Sequence, residues 1–243
     1  MVVNEYYLGL DLGQKRSYTA IAVVERTVDR EERRCALTYA MEWHELSPPR
    51  VAVRHLERIG LGTSYVDVVD RVRELVWSDA LRGKTKLVVD ATGAGAPVVD
   101  LFRKDEELKR ACELLAVTIT SGMVAGRGPK KGDWQVPKQD LMTGLVLMLE
   151  AGKLGIARGL EEAGRLVEEL VRYGREEGFR DDLALALALA CWKVRMDYPA
   201  DVGSGDRDDE EYRSLKAARN REAADEFVGA IMAVPAKWFR RRC

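Results

Sequence analysis

Two short apolar runs in this chain each end on an aspartate: YYLGLD closes on Asp11 and KLVVD closes on Asp90. Aspartate is a poor strand residue, and in α/β sheets the groups that do chemistry sit where strands end. Taken singly, each aspartate is equally well explained as the start of a turn or as a helix cap. A third acidic feature shifts the balance. Asp181-Asp182 stands immediately before LALALALACW, a stretch apolar nearly all round that belongs in a buried helix. One of the pair can serve as an N-cap, worth roughly 1 kcal/mol. A second carboxylate at the same buried mouth costs desolvation and mutual repulsion unless a cation neutralises it. Hard cations such as Mg²⁺ prefer carboxylate oxygens. Three or four carboxylates can hold two such ions about 4 Å apart, and the pair activates a water and stabilises the leaving oxygen in phosphodiester cleavage. Such a centre needs no side-chain general base, which suits a chain whose only histidines are His44 and His55. The expectation is a catalytic, metal-binding set of Asp11, Asp90, Asp181 and Asp182 holding two Mg²⁺ or Mn²⁺ ions, with Asp181 the principal ligand of the doublet.

A second feature concerns what such a centre would act on. Arg127-Gly128-Pro129-Lys130-Lys131-Gly132-Asp133-Trp134 is glycine-rich and basic. A loop of this kind can follow a phosphate backbone, with Trp134 stacking or wedging against bases. The same residues also read as an ordinary solvated loop with Trp134 packed back on its own domain. The terminal run Arg240-Arg241-Arg242 adds positive charge, but terminal charge runs are generally solvated.

Composition limits the partners only weakly. The 243 residues carry 39 Lys and Arg against 40 Asp and Glu, so a polyanionic partner would need a local basic patch. The four cysteines, Cys35, Cys112, Cys191 and Cys243, show no C-x-x-C spacing, which argues against structural zinc. The first residues lack a basic stretch followed by a long apolar one. The longest apolar run, Leu183 to Trp192, is too short to span a bilayer. A cytoplasmic protein with no membrane partner is expected.

The elements that must position the acids follow from pattern. Tyr6 to Leu10, Tyr18 to Glu25 and Cys35 to Glu45 read as three antiparallel strands, the last two joined by a charged turn over residues 29–34. Tyr65 to Leu81 is helical, with Val66, Val69, Val72, Leu75 and Val76 on one face. Lys86 to Asp90 is a buried strand, followed by a turn at 93–95 and a helix towards Phe102 with Pro97 in its first turn. Leu114 to Ile119 is another strand. Thr120 to Pro137 is a long loop or a hairpin. Helices follow over Lys138 to Ala151, Leu160 to Arg175 and from the acidic doublet to about Met196. Three antiparallel strands followed by βαβ units predict a mixed five-stranded α/β sheet flanked by helices. A domain over residues 1–198 and a charged, helical C-terminal appendage over residues 199–243 are expected.

These segments together resemble a known family. GLDLGQKRSYTAIAVVE, LVVDATGAGAPVVDLF, VPKQDLMTGLVLMLEAGKLGIA and DDLALALALA are similar, in order and spacing, to the nuclease domain of phage large terminase subunits, within the RNase H-like group. The resemblance runs from about Tyr6 to Met196. It implies an RNase H-like fold and a two-metal endonuclease cutting concatemeric double-stranded DNA during packaging. It also implies that the three acidic positions fall on Asp11, Asp90 and the Asp181-Asp182 doublet, and that Lys138, in the VPK stretch, contacts phosphate. The chain departs from the family in three places. Arg180 stands where the family often has His, Asp90 stands where many relatives have Glu, and no G-x-x-x-x-G-K-[ST] loop of the packaging motor is present. The nearest match, Gly83-Lys84-Thr85, has Ser78 where the first glycine belongs. A motor ATPase or portal protein would therefore be a separate partner. Three other readings stay open: an actin-like or sugar-kinase-type ATPase, through GLDLG and DATGAG; a Holliday-junction-type resolvase; and a non-catalytic DNA-binding module.

Overall fold

The computed structural model describes residues 1–13, 17–34, 41–93, 95–156, 159–173 and 180–199. The expected appendage and the Arg240-Arg241-Arg242 run lie outside the described residues apart from position 199. Five strands form the centre: β1 (Val2–Asp11), β2 (Thr19–Arg34), β4 (Arg50–Ile59), β5 (Thr85–Asp90) and β6 (Cys112–Thr120), in the order β6-β5-β1-β2-β4. β1 runs antiparallel to β2 and parallel to β5, and β5 runs parallel to β6. This is the mixed, RNase H-like layout expected.

The expected count of five strands falls short, because both edges of the sheet are extended. β7 (Gly126–Arg127) and β8 (Asp133–Pro137) form a short antiparallel pair beside β6, so the stretch read as a loop or hairpin is a hairpin. β9 (Leu154–Ile156) pairs with β4 at the other edge. The nine-stranded sheet is completed by β3 (Met41–Glu45), which pairs only with the far end of β2.

The third core strand is β4, not the stretch from Cys35 to Glu45. The charged run over residues 29–34 continues β2 instead of turning, and Met41–Glu45 is exposed throughout. β4 buries Val51, Val53 and Leu56. Its spacing slips from two to three because Val23 pairs with His55 and Val24 with Val53, leaving Arg54 bulged. The bulge returns Leu56 and Arg58 to the face of Val51 and Val53.

Helices cover both faces. On one lie α1 (Tyr65–Val76), α2 (Gly95–Lys104) and α3 (Glu106–Ala111), packed on Leu8, Leu10, Ile21, Leu87 and Val89. α1 turns Val68, Val69, Val72 and Val76 inward and leaves Val66 exposed, so its buried stripe is rotated from the expected one. On the other face lie α4 (Lys138–Glu150), α5 (Ala163–Arg172) and α6 (Asp182–Asp197), packed on Tyr7, Ala20, Ala22, Val24, Val88 and Val136. α6 buries almost every side chain. It approaches β1 so closely that a Cβ on Gly9 would collide with the Ala186 carbonyl, so glycine here is what lets the helix lie down on the strand.

Candidate active site

The period of two fixes where the acids point. Along β1, Leu8 and Leu10 face α1–α3 while Tyr7 faces α6, so Asp11 projects to the α6 side. Along β5, Leu87 and Val89 face α1–α3 and Val88 faces α6, which sends Asp90 the same way. Leu10 pairs with Val89, so the two aspartates end neighbouring parallel strands at one level, about 4.8 Å apart across the sheet. α6 crosses this face with its N-terminus at that end and delivers Asp181 and Asp182. Ends of two strands and the mouth of one buried helix thus gather all four expected acids.

Each acid has a distinct setting. Asp11 is buried, and burial, followed by the charges of Asp90, Asp182 and Asp181 in that order, holds its carboxyl well above the usual carboxylate range. Asp90 is raised too, by burial, although its Oδ1 accepts the Thr92 N–H at 2.8 Å and Lys138 favours its charge. Asp182 is buried and raised for the same first reason; its Oδ2 accepts the Tyr18 N–H at 3.2 Å and lies 3.9 Å from Arg58. Asp181 pairs with the Lys138 ammonium at 2.6 Å. Burial works against the charge on Lys138, but Asp181 outweighs it and raises the Lys138 pKa. Asp182 is the more buried member of the doublet and acts on Asp11 more strongly than Asp181 does.

Neither carboxylate of the doublet caps the helix. Asp181 stands at the N-cap without a side-chain cap hydrogen bond. Glu169, buried on α5, takes that role: its Oε2 accepts the Ala184 N–H at 2.9 Å. Burial pushes Glu169 up to about 7 against these backbone donors, with Asp182 adding to the rise. Sequence reading missed Glu169, because a Glu in an amphipathic helix carries no local sign that it reaches a neighbouring helix. Arg58 was missed along with its strand. Its guanidinium lies over the Tyr18 ring, 3.7 Å from the centroid, and its buried Nε has no hydrogen-bond partner.

The basic residues divide. Lys138 opens α4 and joins the acids as a counter-charge. Arg127, Lys130 and Lys131 sit exposed on the β7–β8 hairpin. Trp134 packs back on the domain, meeting Trp192 edge to face with centroids 5.4 Å apart, while Arg127 lies 5.4 Å from its ring. Of its two readings, packing is the one observed.

The donor set suits a hard divalent cation, since every acid offers oxygen and burial holds Asp11, Asp90 and Asp182 back from ionising, a penalty that a bound cation would offset. Among the described residues no three Asp, Glu, His or Cys side chains converge on one point at ligation distance. The acids are gathered within range of one another's charge, with Lys138 on Asp181.

No family model and no curated protein matches the chain. One solved structure similar to it is that of the large terminase nuclease from thermophilic phage G20c, with 20% sequence identity, a TM-score of 0.39, and coverage of 77% of this chain and 81% of that one. No described helix is long and apolar enough to cross a membrane.

Proposed function

We propose that this chain is a two-metal-dependent endonuclease acting on double-stranded DNA, of the kind that cuts concatemers during packaging and that works alongside a separate motor ATPase or portal protein. The observation that carries the reading is the set of carboxyls Asp11 and Asp182, both buried, and Asp90, half-buried, with Asp181 beside them, on three separate elements at one end of one sheet face, with fewer cations than acids around them among the described residues. Folding this much like charge together is costly, and a fold keeps it where a cation is to be held.

Asp11, Asp90, Asp182 and Asp181 would hold two Mg²⁺ or Mn²⁺ ions. When bound, these supply the positive charge that lowers the pKa of the attacking water and stabilises the leaving oxygen. Gly9 and Ala186 fix the approach of α6, and so the placing of the doublet. Glu169 caps α6 and thereby leaves both doublet carboxylates free of the helix. The Tyr18 N–H orients Asp182. Lys138, released from Asp181, becomes available to a phosphate oxygen. Arg127, Lys130 and Lys131 extend positive charge away from the acids along the β7–β8 hairpin, where a duplex backbone can lie.

The test is cleavage of supercoiled plasmid with Mn²⁺, comparing the native protein with Asp90→Ala and Asp181→Ala. Metal-dependent nicking that is lost in Asp90→Ala and strongly reduced in Asp181→Ala is expected. Robust cutting that survives both substitutions overturns the site. Tight ATP binding without nuclease activity would favour the actin-like reading instead.

A further inference from the structure

Asp11 pairs with Ala20 across β1–β2, and Ala20 pairs with Arg58 across β2–β4. Arg58, Ala20, Asp11 and Asp90 therefore form one row across four adjacent strands, all facing α6. The Arg58 Cα lies about 10 Å from that of Asp11, two strand spacings away, with the small side chain of Ala20 between them. Arg58 is stacked on the Tyr18 ring, but its hydrogen-bonding capacity is not filled: its Nη2 is 3.9 Å from Asp182, beyond hydrogen-bond range, and its Nε is buried without a partner. Tyr18 lies against it, and the exposed Arg180 guanidinium sits 5.7 Å from the same ring. A buried arginine with an unused donor beside carboxylates calls for an acceptor.

We propose that Arg58, Tyr18 and Arg180 form a phosphate-binding subsite that takes a backbone phosphodiester of the DNA on the β4 side of the acids, across the centre from Lys138. The inference rests on the nuclease reading. An acidic centre repels a polyanion, so the strand to be cut must be held by cations to either side. Lys138 and the hairpin supply one side; the Arg58–Tyr18–Arg180 group supplies the other. Arg58 forms the floor, fixed by the ring of Tyr18. Arg180 is the exposed arm that reaches the phosphate first, and the fork of Arg58 matches two phosphate oxygens.

The experiment measures duplex DNA binding against salt concentration in an Asp11→Asn background, so that affinity is read without cutting. The variants are Arg180→Ala, Arg58→Met and Arg58→Lys, each checked for its melting temperature. Each lost phosphate contact should lower the slope of log K against log salt by about 0.9. Arg180→Ala and Arg58→Met are each expected to show this drop with a severalfold loss of affinity, while Arg58→Lys keeps the slope. Arg180 is exposed, so its variant decides the matter even if Arg58→Met fails to fold. Slopes unchanged in Arg180→Ala, or in a folded Arg58→Met, overturn the subsite while leaving the nuclease reading standing. A protein that binds no DNA at any salt concentration overturns both.

Discussion

The two ends of α6 both collect charge, and they treat it in opposite ways. At the C-terminal end, Asp197 accepts from Lys86 and Lys193 at 2.6 Å each and from the Tyr7 hydroxyl at 3.2 Å. Burial resists the charge on Asp197, but the two lysines win and hold its carboxyl below the usual range. Nearby, the fully buried Arg26 meets Glu5 at 3.3 Å and Glu45 at 3.2 Å, and lies 3.5 Å from the centre of the Tyr198 ring. Every acid there has its cation. At the N-terminal end, Asp11, Asp90, Asp182 and Glu169 are all raised, and among the described residues Lys138, Arg58 and Arg180 answer them. The helix is the same, but Asp11, Asp182 and Glu169 are more deeply buried than Asp197, and they lack a pair of close lysines such as Asp197 has. One end is balanced by its own lysines; on the proposed reading, metal ions would supply the charge that the other end lacks.

Substitutions at the two ends should therefore separate activity from stability. The largest effect is expected from Asp11→Asn, which should cut Mn²⁺-dependent plasmid nicking by about a thousandfold or more. The same variant should melt higher than the native protein in chelator, by on the order of 1 kcal/mol, because it removes a buried charge that burial and three neighbours oppose. Asp197→Asn should do the reverse: it strands two partly buried lysines and lowers stability by about 3 kcal/mol in chemical denaturation, with nicking by the folded fraction kept. A drop in melting temperature for Asp11→Asn, or a gain for Asp197→Asn, would erase the contrast.

Gly9→Val attacks the element both ends share. Its side chain has no room beneath the Ala186 carbonyl, and a loss of about 3 kcal/mol is expected from denaturant titration. Activity should fall with it, since the doublet rides on the same helix.

The pH response gives a finer distinction. Asp11, Asp90, Asp182 and Glu169 bind protons more readily folded than unfolded. Their contribution to stability is therefore present at low pH and lost as pH rises through their folded values, about 7 for Glu169. Asp197 and Glu57, the latter lowered to about 2 by His55 and Arg71, contribute stability that is present above pH 4–5 and lost below it. In chelator the melting temperature should thus rise as pH falls from about 8 to 5.5 and decline again at lower pH. Saturating Mg²⁺ should flatten the neutral limb and leave the acid limb alone. The smallest effect is expected from Lys130→Ala, on the exposed hairpin: a severalfold weaker DNA affinity with no change in melting temperature.

Much of this was legible in the sequence, for reasons that can be named. Asp11 and Asp90 end runs whose period assigns them a face, and LALALALACW can only be a buried helix, so an acidic doublet at its mouth stands out. β4 was illegible because RVAVRHLERI mixes charges with apolar residues and its bulge at Arg54 breaks the alternation. With β4 went Arg58, whose place beside the acids exists only through the cross-strand row. β2 looked like a turn after residue 28 because a projecting strand buries nothing and need not alternate. Glu169 and the Lys138–Asp181 pair are contacts between helices, which no local pattern encodes. Trp134 was read two ways because its partner, Trp192, lies 58 positions further along the chain.

The most direct test of the central claim is calorimetric titration of the metal-free protein with Mn²⁺ at neutral pH, for the native chain and Asp11→Asn. The uncompensated acids predict about two Mn²⁺ ions bound per chain, with proton release as the raised carboxyls ionise, and loss of this binding in Asp11→Asn. No uptake of Mn²⁺ by the native protein, or uptake undiminished in Asp11→Asn, would contradict the account.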